Sequence, residues 1–222
     1  VTVKSAVRQG GAWTLSTTRG SPNGEKAEAQ LRYKIVLLSA GANSPLATQL
    51  VPGLKLLPKH SAVGIRTYFE GVKPGARTDR SEFYLFDRKL MPGGLYLTPF
   101  SDGRVNVNIV MRYDIFQKRK VNLRSLLTEY IAGHPELCDR FADATQTGPP
   151  EGSVLFFGTR KRPISAEGCL LIGDAAGLTD ATNANGIGHA MISGGLAAET
   201  AAEALATGSL DAKSLRQYDK AV

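Results

Sequence analysis

The sequence is poor in the residues from which metal, disulfide and nucleophilic sites are built. Its 222 residues include two cysteines, three histidines and one tryptophan. Cys138 and Cys169 do not have metal-ligand spacing, and they imply no disulfide framework. There is no nucleophile with a partnering base and no Walker-type phosphate loop in the pattern. These absences predict no metal site and no nucleophilic catalysis, and they favour a reducing, cytoplasmic compartment.

Long hydrophobic runs are also missing, because no stretch approaches the roughly 18 consecutive apolar residues of a membrane-spanning helix. The formal net charge is +7, from 27 basic and 20 acidic residues. The basic residues are mostly scattered and lack the interleaved aromatic residues or glycines of a nucleic-acid platform. We therefore expect a solvated basic surface and no nucleic-acid partner. Attraction to an anionic substrate or peripheral contact with a membrane surface is the alternative.

Strand patterns and turn signals fill the first 40 residues. Three segments alternate between apolar and polar residues: 1–7, 12–18 and 27–33. Turn signals near residues 9–11 and 21–24 separate them, which predicts a small antiparallel meander. Lys34–Ala40 is instead a continuous apolar run that ends at Gly41. Such a run is typical of a strand buried on both faces of a parallel sheet.

The middle of the sequence predicts a second, antiparallel sheet. Its four strand candidates are joined by short turns: 61–70, 82–87, 94–98 and 104–111. Helical spacing follows over residues 123–141, with a break near Pro135. Another continuous apolar run at 169–172 precedes helices over 186–206 and from Asp211 onwards.

This order predicts a domain in two parts with an insertion between them. A buried strand, an antiparallel sheet, a second buried strand and a helix follow one another along the chain. We therefore predict an interrupted α/β domain formed by residues 1–58 and 159–222, with an inserted antiparallel-sheet domain at 59–158.

Leu170–Gly194 (LLIGDAAGLTDATNANGIGHAMISG) is the segment richest in chemistry. The predicted buried strand ends at Gly173, and Asp174 follows at its carboxyl end, where ligands of open α/β sheets bind. The small residues that come next let a ligand approach the backbone. Gly186 then opens a helix, whose N-terminus presents free N–H groups and a partial positive charge to an anion or a ligand carbonyl. The alternative is that Asp174 caps a turn and the glycines only pack.

This segment resembles the second FAD fingerprint of the geranylgeranyl reductase family, within the p-hydroxybenzoate hydroxylase-like flavoproteins. The family pattern reads roughly GDAAGxxxPxxGxGIxxAMxSG, and the sequence departs from it at Ala181, usually Pro, and Ala184, usually Gly. The resemblance implies that Asp174 hydrogen-bonds the ribityl chain of FAD. It also implies that the amides of Gly186 and Ile187 face the flavin edge where negative charge accumulates on reduction. The implied FAD-binding residues here are Gly173, Asp174, Ala175, Gly177, Asn185, Gly186 and Ile187.

A second resemblance to the same family lies at residues 35–44. The family has a strand followed by ADGANS at this point, and its Asp lies near the cofactor pyrophosphate. Here Ala40 occupies the Asp position, while Gly41 and the three residues after it are kept. The resemblance implies that this loop approaches FAD through Gly41. An ordinary turn at the end of a strand is the alternative.

A third resemblance concerns the substrate. Residues 92–110 resemble the aromatic-rich strand, near YxWxFP, that lines the lipid tunnel of archaeal-type reductases, and residues 66–69 resemble the first strand of the family's insertion. The implied substrate-binding residues are Tyr68, Tyr96, Thr98 and Pro99. Tyr68 and Phe69 face opposite sides of their strand, so at most one of them lines a pocket. A sheet strand without a ligand role is the alternative.

The resemblance implies an α/β fold, namely part of a FAD-binding Rossmann-like (GR2-type) domain with an inserted α+β antiparallel-sheet substrate domain. The family begins with a strand, a G-x-G-x-x-G turn and a helix that hold the pyrophosphate. Nothing similar occurs before Ile35, and the chain begins at Val1 without an initiator Met or a signal-peptide core. We therefore expect an internal part of a longer protein. Its N-terminal nucleotide-binding segment is the expected partner that completes the sheet, and without it FAD should bind poorly.

The implied function is FAD-dependent reduction of a prenyl or other isoprenoid-lipid double bond by hydride transfer, with NAD(P)H as a candidate electron donor. The flavin carries the redox chemistry, so no side chain is predicted to be catalytic. One alternative is a FAD-dependent monooxygenase or halogenase that acts on a small aromatic substrate. Another is a non-catalytic fragment that binds a lipid or a partner. GDAAG followed by AMxSG favours the reductase.

Overall fold

The structure is a computed structural model whose described residues are 1–20, 26–52, 54, 57–75, 79–159 and 161–222. The turn predicted at 21–24 lies outside them. The chain divides into two compact units. The first unit consists of Val1–Leu56 and Phe156–Val222, and the second unit is Leu57–Leu155. The predicted roles of such units, as parts of a FAD-binding domain and as a substrate domain, stay predictions.

The elements confirm the mixed α/β class that the sequence predicts. The strands are β1 (Thr2–Gln9), β2 (Ala12–Gly20), β3 (Lys26–Tyr33), β4 (Val36–Leu38), β5 (Ser61–Glu70), β6 (Glu82–Leu85), β7 (Gly93–Pro99), β8 (Val105–Arg112), β9 (Thr145–Gln146), β10 (Glu151–Phe156), β11 (Ser165–Ala166) and β12 (Cys169–Leu171). The α-helices are α1 (Pro45–Leu50), α2 (Tyr113–Arg119), α3 (Leu123–Gly133), α4 (Pro135–Arg140), α5 (Ile187–Thr207) and α6 (Ala212–Ala221). Short 3-10 helices span Pro58–His60 and Gly173–Ala176.

The first unit begins with the predicted meander. β1, β2 and β3 pair antiparallel in that order. Gly10 and Gly11 form the β1–β2 turn with φ values of 56° and 74°, a region that glycine enters without a Cβ clash. Trp13 is buried, and its Nε1 donates to the carbonyl of Gly168 at 2.7 Å. This hydrogen bond ties the meander to the hairpin between β11 and β12.

A small sheet with the order β11-β12-β4 follows in the same unit. β12 runs parallel to β4, and all three of its residues are fully buried. The prediction for β4 was partly wrong, because Leu37 is 41% exposed rather than buried. The reason is the position of β4 in the sheet, since among the described strands it pairs only with β12 and so forms an edge.

α5 and α6 pack with β11 and β12 in the core of the first unit. The fully or nearly fully buried residues of α5 are mostly small: Ser193, Ala197, Thr200, Ala201 and Ala204. On α6, Tyr218 is fully buried and its hydroxyl donates to the carbonyl of Leu171 at 2.6 Å. Gly208 ends α5 in the left-handed region, as its position in the sequence predicts.

The second unit is an antiparallel sheet with the order β10-β5-β8-β7-β6, and β9 pairs with β5. The side chains of β8 alternate strictly between its two faces. Its buried residues share one core with α3 and α4: Val105, Val107, Ile109 and Met111. On the other face Asn106 and Asn108 are only half-buried. We call the face of Val105, Val107, Ile109 and Met111 the helix face, and the face of Asn106 and Asn108 the open face.

The helices of the second unit match the sequence pattern in part. α3 and α4 are separated near Pro135, as predicted, and the Asn122 side chain caps α3 by accepting the N–H of Arg124 at 3.0 Å. α2 of this unit and α1 of the first unit were not predicted, because both are short and neither begins with a side-chain cap. No membrane-crossing helix is found among the described residues, since none combines the necessary length and apolarity.

Candidate functional site

Gly173 begins the 3-10 helix that follows the buried strand β12, and it packs against Ala190 of α5. Its φ is +56°, and a Cβ added to it would lie 2.8 Å from the Cβ of Ala190. Its N–H donates to the Ser193 hydroxyl at 3.1 Å. The absence of a side chain at Gly173 therefore lets the helix come into direct contact with the strand end.

Asp174 lies at the mouth of this helix. One of its carboxylate oxygens, Oδ1, accepts a hydrogen bond from the Thr179 hydroxyl at 3.1 Å. The same oxygen would lie 3.2 Å from a Cβ built on Gly186, the N-cap of α5. The structure thus brings together the strand end and the helix start that the sequence analysis singles out. The role of Asp174 toward a ribityl chain stays a prediction.

The N-terminus of α5 is available to a ligand. No side chain caps Gly186, and the first turn contains no acidic residue. The side chain of Asn185 lies beside the first turn, where a Cβ on Gly188 would be 3.8 Å from its Nδ2, and Ile187 is largely exposed. The amides of a first helical turn have no partner within the helix. They can therefore donate to an anion or a carbonyl oxygen placed there.

Arg162 fixes the backbone after Asp174 and was missed by the sequence analysis. Its guanidinium donates to the carbonyls of Ala176, at 2.8 Å from Nη2, and of Gly177. It also donates to the carbonyl of Phe157 at 3.2 Å. Gly177 has a φ of +62°, and a side chain there would collide with this guanidinium. Only the fold reveals this contact, because Arg162 precedes the motif by a whole hairpin.

The loop before α5 is organised by Asp180, which the sequence analysis also missed. Its Oδ1 accepts the N–H groups of Thr182 at 2.6 Å and Asn183 at 3.1 Å. These backbone hydrogen bonds hold the pKa of the Asp180 carboxyl below its ordinary value. Ala184 follows with a φ of +56°. The glycine that the family has at this position would enter that region without strain.

Gly41 follows the carboxyl end of β4, the strand beside β12. β4 and β12 are parallel neighbours, and the N–H of Ile172 donates to Leu38 at 2.9 Å. Gly41, with a φ of +77°, comes three residues after Leu38, and Gly173 comes two residues after the end of β12. Two of the glycines that the sequence analysis places near a cofactor, Gly41 and Gly173, therefore follow neighbouring strand ends.

The predicted substrate residues divide between the faces of the second unit's sheet. Tyr68, Tyr96 and Thr98 lie on the open face, since they are opposite Asn106 or Asn108 of β8. Pro99 pairs with Val105 and lies on the helix face instead. The structure thus brings three of the four predicted residues to one surface, and strand alternation separates the fourth from them.

Aromatic and basic side chains surround the tyrosines of the open face. The ring of Tyr96 meets that of Phe83 edge-on at 5.2 Å, and burial raises the pKa of Tyr96. The guanidinium carbons of Arg66 and Arg104 lie 6.0 Å and 5.5 Å from the centre of the Tyr68 ring. This surface offers aromatic area at one end and positive charge at the other.

Known proteins similar to this chain include proteins named digeranylgeranylglycerophospholipid reductase and flavin-dependent halogenases. No protein-family model matches it. A digeranylgeranylglycerophospholipid reductase from Thermoplasma volcanium is 28% identical over 201 residues, which are 89% of this chain and 48% of that protein. A Methanopyrus kandleri protein of the same name, numbered 2, is 27% identical over 198 residues, 88% of this chain and 48% of that protein.

Solved structures agree in fold. A geranylgeranyl bacteriochlorophyll reductase-like protein from Thermoplasma acidophilum superimposes with a TM-score of 0.82 and 21% identity, over 98% of this chain and 52% of that chain. The resemblance to the geranylgeranyl reductase family is confirmed. A flavin-dependent brominase gives a TM-score of 0.75 at 20% identity, over 98% of this chain and 53% of that chain. The chain spans about half the length of the curated reductases that it matches.

Proposed function

We propose that the protein is a FAD-dependent oxidoreductase that reduces a double bond of an isoprenoid lipid by hydride transfer from reduced flavin. The observation that carries this proposal is the position of Asp174 at the mouth of α5, beside Gly186. The relatives named as digeranylgeranylglycerophospholipid reductases support the choice of substrate class.

The residues of the first unit fit FAD. Asp174 would hold the sugar-alcohol chain, and the first-turn amides of α5 would donate to the flavin edge. Gly173, Ala175 and Gly177 leave the strand end free of bulky side chains, and Gly41 would lie near the phosphates. When bound, FAD supplies the hydride chemistry. The chain's own part is to bind, to orient and to present fixed donors toward developing negative charge.

The open face of the second unit is the proposed substrate surface. Tyr68, Tyr96 and Thr98 would contact the hydrocarbon, and the two arginines beside Tyr68 would favour an anionic headgroup. We leave Pro99 out of this set, because it lies on the helix face.

Three further parts of the proposal concern partners. A nucleotide-binding segment would pair with the exposed edge of β4 and complete the FAD site. NAD(P)H would reduce the flavin, and peripheral membrane contact would deliver the lipid. The unpaired edge of β4 and the exposed Leu37 support the first of these.

The test is FAD binding by the full-length protein, measured from its visible spectrum and from flavin fluorescence. We expect Asp174→Ala to weaken FAD binding by roughly 10- to 100-fold, the effect of losing a hydrogen bond to a charged group. Asp139→Ala, at an exposed position in the second unit, is the control and should bind like the wild type. Equal affinities in the two variants would remove Asp174 from the site. A colourless protein that takes up no FAD would favour the non-catalytic alternative.

A second assay separates reductase from oxygenase. Reduced enzyme should be reoxidised anaerobically by a geranylgeranyl lipid. Oxygen uptake that depends on a small aromatic substrate would instead favour a monooxygenase or halogenase. Several proteins of this fold are named flavin-dependent halogenases or brominases.

A further inference from the structure

A cleft of about 670 Å³ opens on the helix face of the second unit, bounded by α3, α4 and the segment after β9. Its apolar lining comes from one strand and from the helical segment: Phe69, Leu127, Ile131 and Phe141. Phe69 alternates with Tyr68 along β5, so the cleft lies on the other side of the sheet from the proposed substrate surface. Its volume falls within the roughly 300–1,000 Å³ of small-molecule pockets.

The rim of this cleft carries one charge. Among the described lining residues Arg124 is the charged side chain, and no carboxylate joins it there. Its guanidinium donates at 3.5 Å to the carbonyl of Pro150, and no carboxylate of the described residues lies within ion-pair distance of it. Thr128 and Cys138 contribute further polar atoms to the lining. An apolar cleft with an uncompensated cation at its rim is complementary to an amphiphile with a negative head.

We propose that this cleft binds a single-chain anionic amphiphile, such as a fatty carboxylate, with its hydrocarbon against Phe69, Leu127 and Phe141 and its head on Arg124. A neutral chain would leave the guanidinium unused, and a cationic head would be repelled by it. The site needs no flavin, so it goes beyond the proposed function and can fail or hold independently of it.

The protein contains its own reporter for this site. Cys138 lines the cleft and is half-buried, whereas Cys169 is fully buried in the first unit. Burial raises the pKa of the Cys169 thiol to about 12, which keeps it in the unreactive thiol form at neutral pH. The rate at which iodoacetamide alkylates the peptide that contains Cys138 in the native protein, followed by mass spectrometry, therefore measures access to the cleft.

The experiment follows this rate while dodecanoate, dodecanol or dodecyltrimethylammonium is added below its micelle concentration. We expect dodecanoate to slow alkylation at the lowest concentration. Arg124→Glu should raise the dodecanoate concentration for half-protection by roughly tenfold or more, the effect of losing a charge-assisted contact. Arg119→Glu makes the same charge change on α2, away from the cleft lining, and should leave this concentration unchanged.

Three outcomes would overturn the proposal. Protection by dodecanol that equals protection by dodecanoate would show that the head is not recognised. Equal responses of the two arginine variants would remove Arg124 from the site. A Cys138 that no reagent reaches in the full-length native protein would show that a polypeptide segment covers the cleft. Because none of these readouts depends on whether FAD is bound, the results do not bear on the flavin proposal.

Discussion

The candidate cofactor site and the open face of the second unit are built in different ways. In the first unit, backbone conformation does the positioning, since Gly173 and Gly177 are left-handed and set the path around Asp174. In the second unit, regular strand pairing does it, and Tyr68 and Tyr96 face the same way because of strand alternation alone. A backbone-built site depends on the identity of a few residues, whereas a strand-built face depends mainly on register.

This difference explains why the sequence identifies the candidate cofactor site more clearly than it identifies the open face. The GDAAG segment has the same residues as the family pattern. A side chain at Gly173 would collide with Ala190, and one at Gly177 would collide with Arg162. The strand at residues 93–99 keeps its register but few of the family's side chains. Substitutions there change the surface and leave the sheet intact.

A partly buried ion pair in the second unit offers the clearest way to break this comparison. Arg140 donates from both Nη atoms to the Glu82 carboxylate, at 2.7 Å and 2.8 Å, and its side chain is 10% exposed. We expect Arg140→Met to lower the free energy of unfolding by about 3 kcal/mol, since it leaves a partly buried carboxylate unpaired. Urea denaturation measures this effect. Arg104→Met, which removes a partner of the exposed Asp102, is the control and should be nearly neutral.

The same pair predicts a pH dependence. The hydrogen bond from Arg140 holds the pKa of Glu82 below its ordinary value. The pair's contribution is therefore complete above the ordinary glutamate pKa of about 4.3, and it is lost as the pH falls through the depressed value. Unfolding at a series of pH values should show this loss in the wild type and not in Glu82→Gln. A parallel acid profile in the two proteins would contradict the assignment.

In the first unit we expect the next largest effect from Gly173→Ala. The left-handed φ and the 2.8 Å approach to Ala190 should together cost about 2–3 kcal/mol. Gly195 lies on α5, like Ala190, and a Cβ there would meet no heavy atom within 4 Å. Gly195→Ala should therefore raise the free energy of unfolding by about 0.5–1 kcal/mol. If both variants shifted the unfolding midpoint in the same direction, the backbone argument for this site would be wrong.

The smallest expected change in stability comes from Ala184→Gly, in the loop before α5, and it tests whether backbone conformation also limits stability there. Ala184→Gly relieves a left-handed alanine, at about 1–2 kcal/mol, and adds backbone entropy to the unfolded chain. The net gain should be about 0.5 kcal/mol, measurable as a higher unfolding midpoint. Ala181→Gly, at a position without positive φ, has only the entropic cost and should destabilise. A loss of stability in both would show that Ala184 is not strained.

Much of the fold could be predicted from the sequence where signals are local. The meander, the strands of the second sheet and the break near Pro135 follow from alternation and turn residues. Short uncapped helices such as α1 and α2 give little periodic signal, so they were missed. Within the candidate site, Asp174 and the glycines were recognised from their motif. Arg162 was missed because it reaches the motif through the fold rather than along the chain.

The sequence by itself determined the periods of the strands and helices, the glycine positions at turns and strand ends, and the likeness to flavin reductases. These depend on residues a few positions apart, whose steric and hydrogen-bonding preferences act locally. The tertiary structure alone decided that β4 forms an edge, that Pro99 faces away from Tyr96, and that Arg124 stands at the rim of an apolar cleft. Each depends on which distant segments meet, and burial and pairing between such segments are properties of the folded chain.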